Sequence, residues 1–181
     1  MEYQPNDLNS VKILICYLLY NLENPIDSEA LYDIAVESGT INYFYYNEAV
    51  DDLLVNDTIL SDAAENGRMF FSLSNKGKTF VKDFSKYVQR SFRDRLMYSA
   101  MQYKANQLKN ASLSIDYEDC AEGCKLICGI SEGNKNLFEF KLLAGNRTQA
   151  ELLGEQISVD PSAFYSNFID YILHKKYINS D

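Results

Sequence analysis

Apolar residues recur at helical spacing through residues 9–22, where Val11, Ile13, Leu14, Tyr17 and Leu18 share one side. The run "ENPID" ends that helix, because Pro25 pushes the residue before it towards extended geometry. Asp27 or Ser28 then caps a second helix with Leu31, Ile34 and Ala35 inward, and Gly39 suits the left-handed position that closes it. A third helix is expected over residues 42–56, burying Tyr46, Val50, Leu53 and Leu54. Two strand-like runs follow in "TILSDAAENGRMFFSL", and Asn66-Gly67 between them marks a hairpin. Ser74 caps a fourth helix in "SNKGKTFVKDF". Helix, short strand, helix, turn, helix, hairpin, helix is the order of a winged helix-turn-helix domain.

From residue 76 to 110 there is no Pro, and Gly77 is the only Gly. The pattern fits one long helix, or two with a break near Ser91, carrying Phe80, Phe84, Tyr87, Val88, Phe92, Leu96, Ala100 and Tyr103 on an apolar stripe. That stripe either packs on the chain's own domains or forms a dimer seam. Beyond Asn110 the period changes to two. "SLSIDYED", "KLICGISE" and "NLFEFKLL" read as a three-stranded antiparallel meander, with a turn at Gly133-Asn134. So small a sheet needs cover. Two helices supply it, over residues 148–157 and 160–174, the second capped by Asp160 with Pro161 at its first position and Phe164, Phe168, Tyr171 and Ile172 inward. The expected fold class is α+β. A winged helix-turn-helix domain (1–84) leads through a connecting helix (85–111) to a meander covered by two helices (112–181), a module for dimerisation or sensing.

Composition fits one or two globular domains: 181 residues, 46% hydrophobic, with 14 Tyr and 10 Phe to fill cores. No apolar run approaches the roughly 18 residues of a membrane span, and "MEYQPNDLNS" lacks the features of a signal peptide. A cytoplasmic location is therefore expected. The net charge of −9 hides a strong pattern. Residues 1–67 hold 13 acids against the single Lys12, whereas residues 68–109 hold ten cations against Asp83 and Asp94. Any polyanion belongs with the middle block. Cys16 sits in an apolar helical pattern. Cys120, Cys124 and Cys128 follow a C-x3-C-x3-C spacing that matches neither common zinc sites nor a redox C-x-x-C, and the only histidine, His174, is distant in sequence. Reduced structural thiols, with no metal and no cofactor, are expected. Acidic Asp119 and Glu122 beside them disfavour thiolates.

Three segments carry a resemblance: "NYFYYNEAVDDLLVNDTI", "LSNKGKTFVKDF" and "AELLGEQISVDPSAFYSNFIDYIL". Over nearly its full length the chain resembles a bacterial family catalogued as a domain of unknown function, whose members join a winged helix to a small α/β tail. The shared features are an aromatic pair opening the third helix, here Tyr43-Phe44, and a Leu-Ser/Thr-x-x-Gly turn after the hairpin, here Leu73, Ser74 and Gly77. This protein has no Trp, which the family often carries in the second-last helix. The resemblance implies a transcriptional regulator and brings no catalytic residues with it.

As a reader of DNA the third helix would be unusual. "TINYFYYNEAVDDLLVNDTIL" contains four acids and no Lys or Arg. Its expected outward set is Tyr45, Asn47, Glu48, Asp51 and Asp52, of which Tyr45 and Asn47 suit base edges or phosphates. Affinity for DNA rests mainly on phosphate neutralisation. The cations for it are expected from Arg68 at the hairpin, from Lys76 and Lys78, and from a row of Lys82, Lys86, Arg90 and Arg93 along one helical side. The leading expectation is a dimeric DNA-binding regulator. The alternative is a winged-helix module that binds another protein through exposed Tyr43, Tyr45 and Tyr46. An enzyme is disfavoured, because the chain has no His-supported nucleophile and no Gly-rich phosphate loop.

Overall fold

The computed structural model describes residue 5 and residues 7–22, 24–107 and 111–178, with the backbone alone for 111 and 174–178. The side chain of His174 therefore lies outside the described set. Among the described residues the chain is mixed α+β, with seven α-helices and two three-stranded antiparallel sheets. It divides into two compact units, Met1–Tyr103 and Lys104–Asp181.

In the first unit, α1 (Leu8–Leu22) fully buries Val11, Leu14, Ile15, Cys16 and Leu18, so it is the hub of the core. A short β1 (Ile26–Asp27) leads into α2 (Ser28–Tyr32), whose first turn is capped by the Asp27 carboxylate accepting from the Glu29 amide. A π-helical turn, Asp33–Glu37, prolongs α2 until Gly39 takes a φ of 74°. Helix α3 (Tyr43–Val55) buries Tyr46, Ala49, Val50 and Leu53, the face that periodicity predicts. Strands β2 (Ile59–Ala63) and β3 (Met69–Leu73) form the hairpin, and β1 pairs with the outer side of β3, giving the order β1-β3-β2. At its tip only Gly67 adopts a positive φ, so Asn66-Gly67 does not form the two-residue turn with both residues left-handed. The Asn66 carboxamide oxygen instead accepts from the Arg68 amide within a five-residue connection.

Helix α4 (Asn75–Phe84) starts where expected, with the Ser74 hydroxyl accepting from the Gly77 amide at 3.1 Å. The same hydroxyl is within donating distance of the Asp57 and Thr58 carbonyls, tying the helix start to the end of α3. The chain then breaks earlier than Ser91. A 3₁₀ turn (Ser85–Tyr87) ends at an extended Val88, and α5 (Arg90–Asn106) begins afresh. This corrects the expected row of Lys82, Lys86, Arg90 and Arg93, because their spacing aligns them only on an unbroken helix. The break also divides the apolar stripe. Val88, Phe92, Leu96 and Ala100 enter the core of the first unit, with Phe80 and Tyr103 partly buried against it, whereas Phe84 and Tyr87 stay exposed. Residues 88–103 thus pack as part of the first unit.

In the second unit, β4 (Ala111–Cys120), β5 (Gly123–Glu132) and β6 (Lys135–Ala144) form the expected meander with β5 central. Directly paired residues point to the same face, so Ile115, Cys128 and Phe140 form one inward row and Tyr117 and Leu126 the next, whose β6 member, Leu142, stays exposed. Helix α6 (Arg147–Val159), capped by Asn146, sets Ala150, Gly154 and Ile157 on that face. Helix α7 (Pro161–Ile178) begins at the Asp160 cap as predicted, the carboxylate accepting from the Ala163 amide at 2.8 Å. Its inner face is shorter than expected. Phe138 and Phe140 are taken up by Phe164, Tyr165 and Phe168 one or two turns earlier, and Tyr171 and Ile172 are exposed.

Candidate functional site

The third helix opens on Asn42, whose side chain accepts from the Phe44 amide at 2.9 Å. That cap turns the first two helical residues outward, leaving Tyr43 exposed and Phe44 78% exposed. Tyr46 is 5% exposed, which removes it from the set of surface aromatics. Tyr45, expected to face outward, is half-buried against the core, because the buried direction of α3 is broad enough to include it. Asn47 is half-buried as well, and its amide donates to the Tyr43 carbonyl at 3.1 Å, leaving its side-chain oxygen as the acceptor it can offer. The rings of Tyr43 and Tyr46 both meet Tyr32 edge-on, at centroid distances of 6.2 and 5.5 Å. Burial first, and the Glu37 carboxylate second, hold the Tyr32 phenol above its ordinary range.

The acids of α3 divide. Asp52 pairs with Lys12 of α1, the one cation of the acidic N-terminal block. Glu48 and Asp51 stay exposed, and no Lys or Arg of α3 offsets them. The outward face of the helix therefore combines exposed aromatic rings with uncompensated carboxylates.

The candidate cations are dispersed. Arg68, at the hairpin tip, lies 3.6 Å from the Asp27 carboxylate at the start of α2, with most of its side chain exposed. Lys76 points to the other end of α3, donating to the Asn56 carbonyl at 2.7 Å. The five-residue strands of the hairpin separate the two positions by about 17 Å. Lys78 lines a groove of about 440 Å³ with Leu19, Tyr20, Asn24, Ser72 and Leu73. Lys82 is exposed. The Lys86 ammonium sits 5.6 Å from the centre of the Tyr87 ring, Arg90 lies 3.5 Å from Asp94, and Arg93 stacks over Tyr17. Arg68, Lys76, Lys86, Arg90 and Arg93 thus have local structural partners.

A second groove of about 440 Å³ runs between α2 and α3. Tyr46, Val50 and Phe71 form its floor, and Ser28, Glu29, Tyr32, Asp33 and Asn47 complete its walls. Its two acids, Glu29 on α2 and Asp33 at the start of the π-helical turn, are four residues apart in the sequence, and helical periodicity treats them as solvated surface.

All four cysteines are free. Burial pushes the Cys16 thiol up to about 12 and raises Cys128. Cys124 is raised by burial and then by its hydrogen bond with Asp119. No group of three or more metal-binding side chains occurs among the described residues, and no helix among them is long and apolar enough to cross a membrane.

The chain belongs to a family described as a domain of unknown function, DUF4364, whose model matches residues 11–172. That match spans both structural units. No curated protein and no solved structure matches the chain.

Proposed function

We propose that the first unit is a winged helix-turn-helix module that binds double-stranded DNA, and that the protein is a homodimeric transcription regulator with no catalytic step. One observation carries the reading: the sheet order β1-β3-β2, with α2 and α3 inserted between β1 and β2 and the β2–β3 hairpin projecting after them. That connectivity supports a reading of α3 as recognition helix and of the hairpin as wing. The N-terminal turn of α3 would enter the major groove with Tyr43, Phe44 and Asn47, and Tyr45 would support it from the side. Arg68 at the wing tip is the cation best suited to a backbone phosphate. Glu48 and Asp51 oppose the phosphates, so each half-site binds weakly and a two-fold dimer is needed to join two of them. The exposed Leu142, Leu152, Leu153 and Ile172 of the second unit offer apolar surface for such a dimer. A mobility-shift titration with the protein's own upstream region, repeated over salt concentration, tests the reading. Protection that weakens with salt supports it, and salt-insensitive retention or none argues against it.

A second reading is favoured by the face of α3 itself. Exposed Tyr43 and Phe44 beside Glu48 and Asp51, with no cation on the helix, suit a protein partner with a basic rim better than a polyanion. Under this reading Phe44→Ala abolishes capture of the partner, and no duplex is bound at low salt.

A further inference from the structure

Strand β6 is an edge of the second sheet: β5 pairs with one side of it, and among the described residues no strand pairs with the other. Such an edge presents a row of unpaired N–H and C=O groups, which proteins commonly blunt with Pro, a short strand or unmatched charge. β6 instead runs for ten residues without Pro or Gly. Its pairing with β5 is regular from Phe138 to Ala144, which fixes its faces. Phe138, Phe140 and Leu142 lie on the face that α6 and α7 cover, and Glu139, Lys141 and Leu143 lie on the other. Leu142 is nevertheless exposed, so the helices leave its end of the row bare, and Leu143 is exposed on the opposite face. Glu139 and Lys141 are exposed as well, and among the described residues neither forms an ion pair.

We propose that β6 pairs antiparallel with β6 of a second copy of this chain, about a two-fold axis at Phe140, and joins the two meanders into one continuous sheet. In that register Glu139 of each copy stands opposite Lys141 of the other, and Phe138 opposite the exposed Leu142. One position further out, Leu143 stands opposite Leu137. The strand is thus self-complementary on both faces, as a two-fold interface requires. The sheet already makes an ion pair of the same kind, between directly paired Glu118 and Lys125 at 3.5 Å. The charges also select the register. An axis at Glu139 would oppose Glu139 to itself, one at Lys141 would oppose Lys141 to itself, and one at Phe138 would oppose Lys141 to Lys135. A slip that turned the strand over would set the apolar face of one copy level with the charged face of the other. The other edge strand, β4, does not share this property: its charged residues are Asp116, Glu118 and Asp119, with no cation to meet them. The inference rests on the homodimer of the proposed function and names its seam, and it uses nothing of the DNA-binding reading.

The test is sedimentation equilibrium of the full chain over a range of concentrations, with wild type, Glu139→Lys, Lys141→Glu and an equimolar mixture of the two variants. Wild type is expected to dimerise. Glu139→Lys sets cations opposite cations across the axis and Lys141→Glu sets acids opposite acids, so each alone should weaken the dimer at least about tenfold. In the mixture a heterodimer restores both opposite-charge pairs, and dimerisation should return to the wild-type level. That recovery also shows that both variants are folded, as expected for substitutions at exposed positions. The double variant Glu139→Lys/Lys141→Glu restores the pairs within one sequence and should dimerise like wild type. A dimeric wild type indifferent to both single substitutions, or a mixture no more dimeric than its components, overturns the β6 seam and leaves the homodimer reading standing. A monomeric wild type overturns both, and DNA binding is read separately in the salt titration.

Discussion

Lys76 donates its ammonium to the carbonyl of Asn56 at 2.7 Å, so the first turn of α4 caps the last turn of α3. The negative end of a helix favours a cation there, and the contact satisfies a carbonyl that α3 leaves without an intrahelical partner. Lys76 therefore helps to position α3. Lys76→Met should lower stability by about 0.5–1 kcal/mol, as an exposed helix-terminus cation does. Denaturant unfolding at low and high salt checks this, and the loss should shrink as salt screens the interaction.

Gly77 is required by close approach. A Cβ there would stand 2.3 Å from the Thr58 carbonyl oxygen and 2.7 Å from Leu73 Cδ1, one a backbone atom that cannot swing away. Gly77→Ala should therefore destabilise the first unit by about 1–3 kcal/mol, despite the better helix propensity of Ala. Gly67→Ala meets no neighbour but retains a φ of 79°, so its cost is conformational, about 1–2 kcal/mol. The two midpoints in urea test the contrast.

Phe44 and Tyr46 are two residues apart and have opposite fates. Tyr46→Ala should cost about 3–5 kcal/mol, as loss of a core aromatic does. Phe44→Ala should change stability by less than about 0.5 kcal/mol while altering whatever α3 binds. Thermal melts of both variants measure the difference.

The buried Cys16 thiol makes stability pH-dependent at the alkaline end. Its folded pKa, about 12, lies above the ordinary value of 9.0, so the unfolded chain loses this proton first as pH rises. The contribution is full below pH 9.0 and is lost between 9.0 and about 12. Across that window stability should fall by about 1.4 kcal/mol per pH unit from this group. Cys16→Ala should lower stability at neutral pH but flatten the alkaline decline. Urea midpoints at pH 8 and pH 10.5 separate the two effects, at about neutral and alkaline conditions respectively. In native protein at pH 8, labelling should be confined to half-buried Cys120, since the other three thiols are buried.

Local signals marked most elements to within a residue or two. Asp27, Ser74 and Asp160 act as the helix caps the sequence offers, and Asn42 and Asn146 cap α3 and α6 besides, because a side chain that satisfies an end amide works over three residues and needs no tertiary context. What was not legible depends on contacts far apart in sequence. The sequence allows two helices with a break near Ser91, but its place at residues 85–89 has no Pro or Gly to announce it. Val88, Phe92 and Leu96 reach the core, whereas Phe84 and Tyr87 stay exposed. The same break dismantled the expected row of cations. Tyr45 and Asn47 sit on the edge of the buried sector of α3, where periodicity alone cannot separate inward from outward. Asn56 as the partner of Lys76 is a pairing twenty residues apart that no local pattern encodes.

The central claim, duplex binding through α3 and the wing, is tested most directly by fluorescence anisotropy of an upstream-region duplex titrated over salt with wild type, Arg68→Ala and Lys76→Met. The account predicts salt-dependent binding by wild type. Arg68→Ala should weaken it and reduce the log–log salt slope by about 0.9, the value of one phosphate contact. Lys76→Met should keep the wild-type slope. Equal slopes and affinities for Arg68→Ala and wild type, or no duplex bound at low salt, would contradict the account and leave α3 to a protein partner.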